Sequence, residues 1–133
     1  MANLVLQWSW NLPGMYSAQL LDHFQNPRNA GDLPDPDASA QIENPACGDV
    51  LRLSLRISGN RIRQAAFKAK GCVPAIACAS VSTELVLGKT LEEARKLRRE
   101  DLIARLGSLP QASNHAAQLA IDTLMAALDQ LDH

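Results

Sequence analysis

Two cysteines that stand next to glycines are the residues of this chain best suited to chemistry. Cys47 is followed by Gly48 and Asp49, and Cys72 comes directly after Gly71. Glycine permits backbone angles that let its neighbours aim their side chains at one centre. Thiolates bind soft and borderline metals, and a carboxylate adds a harder ligand. If these three side chains converge, they predict a metal or cluster site; the alternative is that the cysteines are buried as small hydrophobic residues.

The segment between the two cysteines predicts a β-hairpin that would bring them together. Every second residue from Leu51 to Ile57 is apolar, which is typical of a half-buried strand. Gly59 and Asn60 supply a two-residue hairpin turn. The return strand is apolar at every second position over 65–69, whereas residues 61–63 leave that phase and indicate a bulge. Because antiparallel strands joined by a tight turn end side by side, we expect both cysteines at one edge of the sheet.

Most of the remaining chain predicts helices. A helix over 16–24 precedes the sheet, and residues 39–45 form a weakly alternating first strand. Four further helical patterns follow the hairpin: Pro74 to Gly88, Thr90 to Lys96 with a capping box at Glu93, Glu100 to Gly107, and a long helix beyond Pro110. Cys72 stands just before the first of these, where the helix dipole favours a thiolate over a thiol.

Composition and charge limit the classes of protein. The 133 residues predict a single domain over 1–133, with 1–15 as an extra, strand-like arm that carries Trp8 and Trp10. The net charge of -1 argues against a nucleic-acid partner. Three cysteines without a secretory signal argue against a disulfide framework and favour the reducing cytoplasm. No segment is apolar over the length that a membrane span needs.

Short motifs along the chain match one family pattern in order. They are Tyr16, His23, Pro27-Arg28-Asn29, Gly31, Ala46-Cys47-Gly48-Asp49, Phe67-Lys68, Gly71-Cys72, Ala75-Ile76-Ala77, Ser80, Thr83-Glu84, Gly88-Lys89, Glu93-Ala94 and Leu109-Pro110. With these motifs the chain resembles the NifU/IscU family of iron–sulfur cluster assembly scaffolds, of the NifU N-terminal domain type, over about residues 16 to 131. The lack of a long insertion between the middle helices makes it more similar to the IscU and NifU branch than to the SufU branch.

The resemblance implies an α+β fold in which a three-stranded antiparallel sheet packs against about five helices. It also implies a scaffold or carrier, not an enzyme, that binds iron or a labile [2Fe-2S] cluster and passes it to apoproteins. The implied partners are a cysteine desulfurase, which supplies sulfur, and the recipient apoproteins. A homo-oligomer is left open.

The site implied by the resemblance has three cysteines, one aspartate and a histidine directly before the third cysteine. Cys47, Asp49, Cys72 and His115 match these positions, but Ala116 stands where the third cysteine is expected. The four matching residues suffice for zinc, for mononuclear iron or for the ends of a [2Fe-2S] cluster. Loss of one thiolate predicts a cluster that is less tightly held, or one that is completed by a partner, a second subunit or a small thiol.

One further departure from the family pattern and two alternative functions remain. The segment 109–113 lacks the Leu-Pro-Pro-Val-Lys sequence read by a dedicated chaperone, which weakens the inference of chaperone-assisted release. A divergent zinc-binding or metal-free interaction module is the first alternative. A sulfur transferase that uses Cys47 or Cys72 with His115 as base is the second, although the sequence shows no oxyanion device for it.

The remaining chemical side chains are interpreted as structural. Cys78 lies nearly two turns into its predicted helix, so it is expected to pack in the core and not to replace the missing thiolate. His23 is interpreted as a structural residue of the first helix. The cations Arg61, Arg63, Lys68 and Lys70 are expected on a solvated strand face, with an acidic partner as the alternative.

Overall fold

The structure, a computed structural model, describes residues 16–46 and 48–131. The N-terminal arm predicted over 1–15 and the candidate ligand Cys47 lie outside these residues.

Three antiparallel strands form a sheet in sequence order: β1 (Ala38–Asn44), β2 (Asp49–Ser58) and β3 (Arg61–Lys70). Strand β1 begins and ends one residue earlier than the predicted 39–45. The apolar face predicted for β2 is confirmed at three leucines that are at most 3% exposed, Leu51, Leu53 and Leu55, although Ser54 on the opposite face is buried as well. The facing positions of β3 are also buried at Ala65 and Phe67.

The hairpin turn and its bulge are both where the sequence predicts them. Gly59 and Asn60 have φ values of 58° and 65°, the left-handed pair that a tight hairpin turn of this kind requires. The register of β2 and β3 shifts between Arg56 and Ile57, because Arg63 is left over as the extra residue of β3. Beyond the bulge the ladder stays in register to its outer end, and this fixes the positions of the residues that follow β3.

Five α-helices complete the described part of the chain: α1 (Ala18–Gln25), α2 (Val73–Val86), α3 (Leu91–Arg95), α4 (Arg99–Leu106) and α5 (Asn114–Asp129). A short 3-10 turn over Gln111–Ser113 leads into α5. The capping box predicted at Thr90 and Glu93 is present. Within the described residues no helix is both long and apolar enough to cross a bilayer.

Helices α2 and α5 lie on the core face of the sheet and supply most of its cover. Cys78 is fully buried inside α2, and this burial raises the pKa of its thiol to about 12. The packing role predicted for Cys78 is therefore confirmed, and a protonated thiol inside the core is no metal ligand. Helix α5 contacts β1 and β2, and its first turn lies beside the start of β2.

His23 in α1 and Arg28 just after it both make polar contacts with residues of α2. The Ser80 hydroxyl accepts the backbone N–H of Arg28 at 2.8 Å and lies 2.8 Å from His23 Nδ1. The other ring nitrogen of His23 lies 3.3 Å from a carboxylate oxygen of Glu84. Burial lowers the pKa of His23, which is 6% exposed. The structural role predicted for His23 agrees with these contacts.

Candidate functional site

Three side chains from three separate elements converge at one corner of the fold. Asp49 is the first residue of β2, Cys72 lies between β3 and α2, and His115 lies in the first turn of α5. One ligand atom of each, an oxygen, a sulfur and a nitrogen, lies within 4.8 Å of the other two. The structure therefore brings together three of the four residues that the sequence predicts as ligands.

The hairpin register explains why Asp49 and Cys72 meet. Val50 pairs with Lys70, so Asp49 lies opposite the residues that follow β3. The backbone N–H of Cys72 donates to Asp49 Oδ1 at 3.1 Å, and Cys72 Sγ lies 3.4 Å from Oδ2. Cys72 is also the N-cap residue of α2, and its side chain makes no capping hydrogen bond. Both potential anions thus lie at a helix N-terminus, where the dipole favours negative charge.

Gly71 permits this close approach. Its φ is +155°, a value that favours glycine, and a Cβ at this position would lie 2.2 Å from Asp49 Oδ1. By contrast, a Cβ at Gly48 (φ +74°) would meet no atom within 4 Å, so the role of Gly48 is conformational alone. The sequence predicts conformational freedom at both glycines, but only the structure shows that the Asp49 carboxylate occupies the space above Gly71.

His115 presents one ring nitrogen to the site. Its Nδ1 lies 3.1 Å from the carbonyl oxygen of Ala112, which can only accept a hydrogen bond. In the neutral ring Nδ1 therefore carries the proton, and the lone pair is on Nε2. Nε2 lies 3.7 Å from Asp49 Oδ2, too far for a hydrogen bond but suited to two ligands that share one ion. A backbone carbonyl that fixes the tautomer in this way is common for metal-binding histidines.

The described part of the site is partly open to solvent. Cys72 and His115 are exposed, whereas Asp49 is 2% exposed. The sulfur and the imidazole therefore lie at an exposed edge of the fold, and the carboxylate lies beneath it. Asp49 is buried because β2 begins beneath the start of α2, where the Cys72 amide holds it. An ion or cluster would approach from the side of Cys72 and His115.

Two positions of the predicted site remain, namely Cys47 and the position of the third cysteine, which is Ala116 in this chain. Cys47 lies outside the described residues, and its place in the ligand set remains a prediction from sequence. Ala116 is 1% exposed and forms part of the hydrophobic core of α5. Its methyl group has no donor atom, so the residue after His115 supplies nothing to the site.

The donor set suits a borderline metal. Sulfur, imidazole nitrogen and carboxylate oxygen are the ligands that zinc and iron accept, and a fourth protein ligand would complete a tetrahedral site. The fold and this edge together define an α+β domain with a candidate metal site formed where a hairpin and two helix N-termini meet. The chain belongs to the family described as the NifU-like N terminal domain, whose pattern matches residues 15–133.

Relatives of known designation agree with this family. The chain is 43% identical over 114 residues to the iron–sulfur cluster assembly scaffold protein IscU 1 of Archaeoglobus fulgidus, covering 86% of this chain and 74% of the relative. It is 40% identical over 122 residues to the scaffold protein IscU of Azotobacter vinelandii, covering 89% and 94%. A crystal structure of a NifU-like N-terminal protein from Brucella abortus superposes with a TM-score of 0.71 at 21% identity, over 86% of this chain and 92% of that one. At that identity the likeness concerns the fold alone.

Proposed function

We propose that this protein is a scaffold on which iron or a labile [2Fe-2S] cluster is assembled and from which it passes to apoproteins. The observation that carries the proposal is the convergence of Asp49, Cys72 and His115 within 4.8 Å at one partly open corner. Relatives at 43% and 40% identity are named as scaffold proteins for the same task, which supports it.

Each residue has a distinct role in the proposal. Cys72 and Cys47 supply thiolates, which bind iron tightly and tolerate bridging sulfide. His115 offers Nε2 as a neutral ligand, fixed in orientation by the Ala112 carbonyl. Asp49 offers Oδ2, the oxygen that faces Cys72 Sγ and His115 Nε2, while its Oδ1 accepts the Cys72 N–H. In this role the chain binds and releases its cargo and performs no turnover of its own.

Release follows from the same ligand set. A carboxylate is a harder and weaker ligand for iron than a thiolate, and here Ala116 removes one thiolate from the expected set. Two thiolates, one carboxylate and one imidazole hold a cluster less tightly than three thiolates would. The proposed cargo is therefore labile, as a carrier requires. Sulfur would come from a cysteine desulfurase in a reducing compartment such as the cytoplasm.

The test is anaerobic reconstitution with ferrous iron and sulfide in a buffer without thiols. We expect a visible absorption band that Cys72→Ala abolishes. Cys78→Ala is the matched control, because Cys78 is fully buried in α2 and its thiol stays protonated. Elemental analysis accompanies the spectra. A colourless wild-type protein that retains only stoichiometric zinc would refute the scaffold and favour a zinc-binding module.

A further inference from the structure

A groove of about 500 Å³ runs beside the candidate metal site. It lies between the end of β1 and the first turns of α5, with the start of α4 at its rim. His115 belongs both to the wall of this groove and to the group of three converging ligands. A molecule held in the groove therefore lies next to one ligand of the site. The volume falls in the range of small-molecule sites in proteins, about 300 to 1,000 Å³.

The lining of the groove combines apolar side chains with charges of both signs. Ile42 and Leu119 supply apolar surface, Arg99 supplies a cation, and Glu43 and Asp122 supply carboxylates. The guanidinium of Arg99 contacts Glu100 at 3.0 Å, an exposed pair of the kind that contributes little free energy and can exchange partners. A ligand with a carboxylate and an ammonium group would find a partner for each. This is the charge pattern of an amino acid or a short peptide.

The candidate site beside the groove has one thiolate fewer than the family pattern. Ala116 follows His115 and offers only a methyl group, which carries no donor atom. Asp49 is the weakest of the predicted ligands for iron, because it is an oxygen donor and its Oδ1 is already engaged. An external thiolate that arrives beside His115 would therefore gain a strong bond to iron where the protein supplies a weak one.

We infer that the groove binds a small thiol of the amino-acid type, such as cysteine or a cysteine-containing peptide, and that its sulfur acts as an external ligand to the cargo. This inference rests on the proposed scaffold function. The thiol gives up its proton to solvent, its sulfur lone pair forms the bond to iron, and the Asp49 carboxylate oxygen leaves iron. No electron is transferred.

The size of the groove favours a small molecule over a protein cysteine. A stable protein partner needs an interface of roughly 1,200 Å² or more, whereas this groove is a local concavity with charged side chains at its rim. A small thiol needs only the concavity, one anchor for each charged end and access to the iron. Donation from a second copy of the chain is an outcome that the test distinguishes.

The test measures the lifetime of the reconstituted cluster. Protein loaded without thiols is mixed with an iron chelator, and the rate of iron loss is followed at increasing concentrations of glutathione. We expect a saturable slowing of iron loss and one bound, isotopically labelled glutathione per protein after gel filtration. S-methyl glutathione, which cannot form a thiolate, should have no effect. 2-Mercaptoethanol, which lacks both charged ends, should need about tenfold more thiol for the same slowing, as expected for loss of a charge-assisted contact.

Three variants locate the thiol. Arg99→Gln should raise the glutathione concentration for half-maximal slowing about tenfold and leave the response to 2-mercaptoethanol unchanged. Ala116→Cys should make cluster lifetime independent of added thiol, because the chain then supplies the sulfur itself. Ala116→Ser is the matched control, since it has nearly the same size but a poor ligand for iron, and it should retain the dependence on thiol.

The outcomes separate this inference from the scaffold function. A cluster that forms and is insensitive to every thiol overturns the inference and leaves the scaffold intact. A cluster that forms only in a dimer without thiol overturns it in favour of a second subunit. Equal responses of wild type and Arg99→Gln to glutathione overturn the groove as the binding place. If no cluster forms with or without thiol, the scaffold proposal itself fails.

Discussion

Replacing Gly71 with alanine tests how the site is built. The Cβ of an alanine there would lie 2.2 Å from Asp49 Oδ1 and 2.7 Å from Asp49 Cγ. No relaxed pair of heavy atoms approaches that closely, so either the carboxylate or the backbone at the start of α2 must move. Either movement breaks the 3.1 Å hydrogen bond from the Cys72 amide to Oδ1. The variant should therefore lose stability and the arrangement of the ligands together.

The magnitude has two parts. A non-glycine residue held at a φ of +155° costs about 1 to 3 kcal/mol in backbone strain. A buried carboxylate that loses its hydrogen-bond donor costs a further 1 to 3 kcal/mol or so. Together the free energy of unfolding should fall by about 2 to 6 kcal/mol, against a total of about 5 to 15 kcal/mol for a domain of this kind.

Gly31→Ala is the matched control because it has the strain without the collision. Its φ is +130°, and no atom lies within 4 Å of the position a Cβ would take. In urea unfolding, Gly71→Ala should lose more stability than Gly31→Ala, and the difference should equal the contribution of the lost hydrogen bond, about 1 to 3 kcal/mol. Titration with Co²⁺ should show weaker binding only for Gly71→Ala, because the Asp49 carboxylate is displaced. Equal losses of stability and equal Co²⁺ affinities in the two variants would refute the role assigned to the contact between Gly71 and Asp49.

Three further predictions concern the reactivity of the cysteines, the protonation of His23 and the hydrogen bonds of Ser80. In the folded, metal-free protein, iodoacetamide at pH 8 should modify Cys72 and leave Cys78 intact, because Cys78 is fully buried and its pKa is about 12. Peptide mapping measures the modification of each cysteine separately. Modification of both cysteines at the same rate would contradict the burial of Cys78. The free energy of unfolding should fall as the pH is lowered from about 6.5, because burial lowers the pKa of folded His23 while the unfolded chain takes up a proton near 6.5. Urea midpoints measured between pH 7 and 5 should therefore depend less on pH in His23→Gln than in the wild type. An unchanged pH dependence in the variant would contradict this role of His23. Ser80→Ala should lower the free energy of unfolding by about 1 to 3 kcal/mol, because the His23 ring nitrogen and the backbone N–H of Arg28 both lose their hydrogen-bond partner. Ser82→Ala is the control, since it removes only a hydrogen bond to Ala79 within the same helix, and it should cost less than about 1 kcal/mol in the same urea assay.

Much of the fold was predictable because local patterns specify it. The alternation from Leu51 to Leu55 and the pair Gly59 and Asn60 identify the hairpin, and a hairpin fixes its own register through its turn. The bulge at Arg63 is visible as a break in the same alternation. The meeting of Asp49 with Cys72 follows from that register, since antiparallel strands end together.

The contacts of α5 were not predictable from such patterns. Periodicity shows that this helix has a buried face, but it does not say which edge of the sheet its first turn reaches. His115 was assigned to the site through the family resemblance, and only the packing of α5 across β1 and β2 places its Nε2 at 3.7 Å from Asp49 Oδ2. The groove beside it exists for the same reason, because its walls belong to elements far apart in the chain.

The sequence by itself determined the kinds of candidate ligand, the hairpin that joins Asp49 to Cys72 and the lack of a thiol at Ala116, because residue identity and local periodicity are read directly from the chain. The tertiary structure alone decided that Asp49 is buried under the start of α2, that Gly71 is required by the carboxylate above it and that one nitrogen of His115 is presented to the site. These depend on which surfaces pack together. Packing is a property of the whole core, and no single segment encodes it.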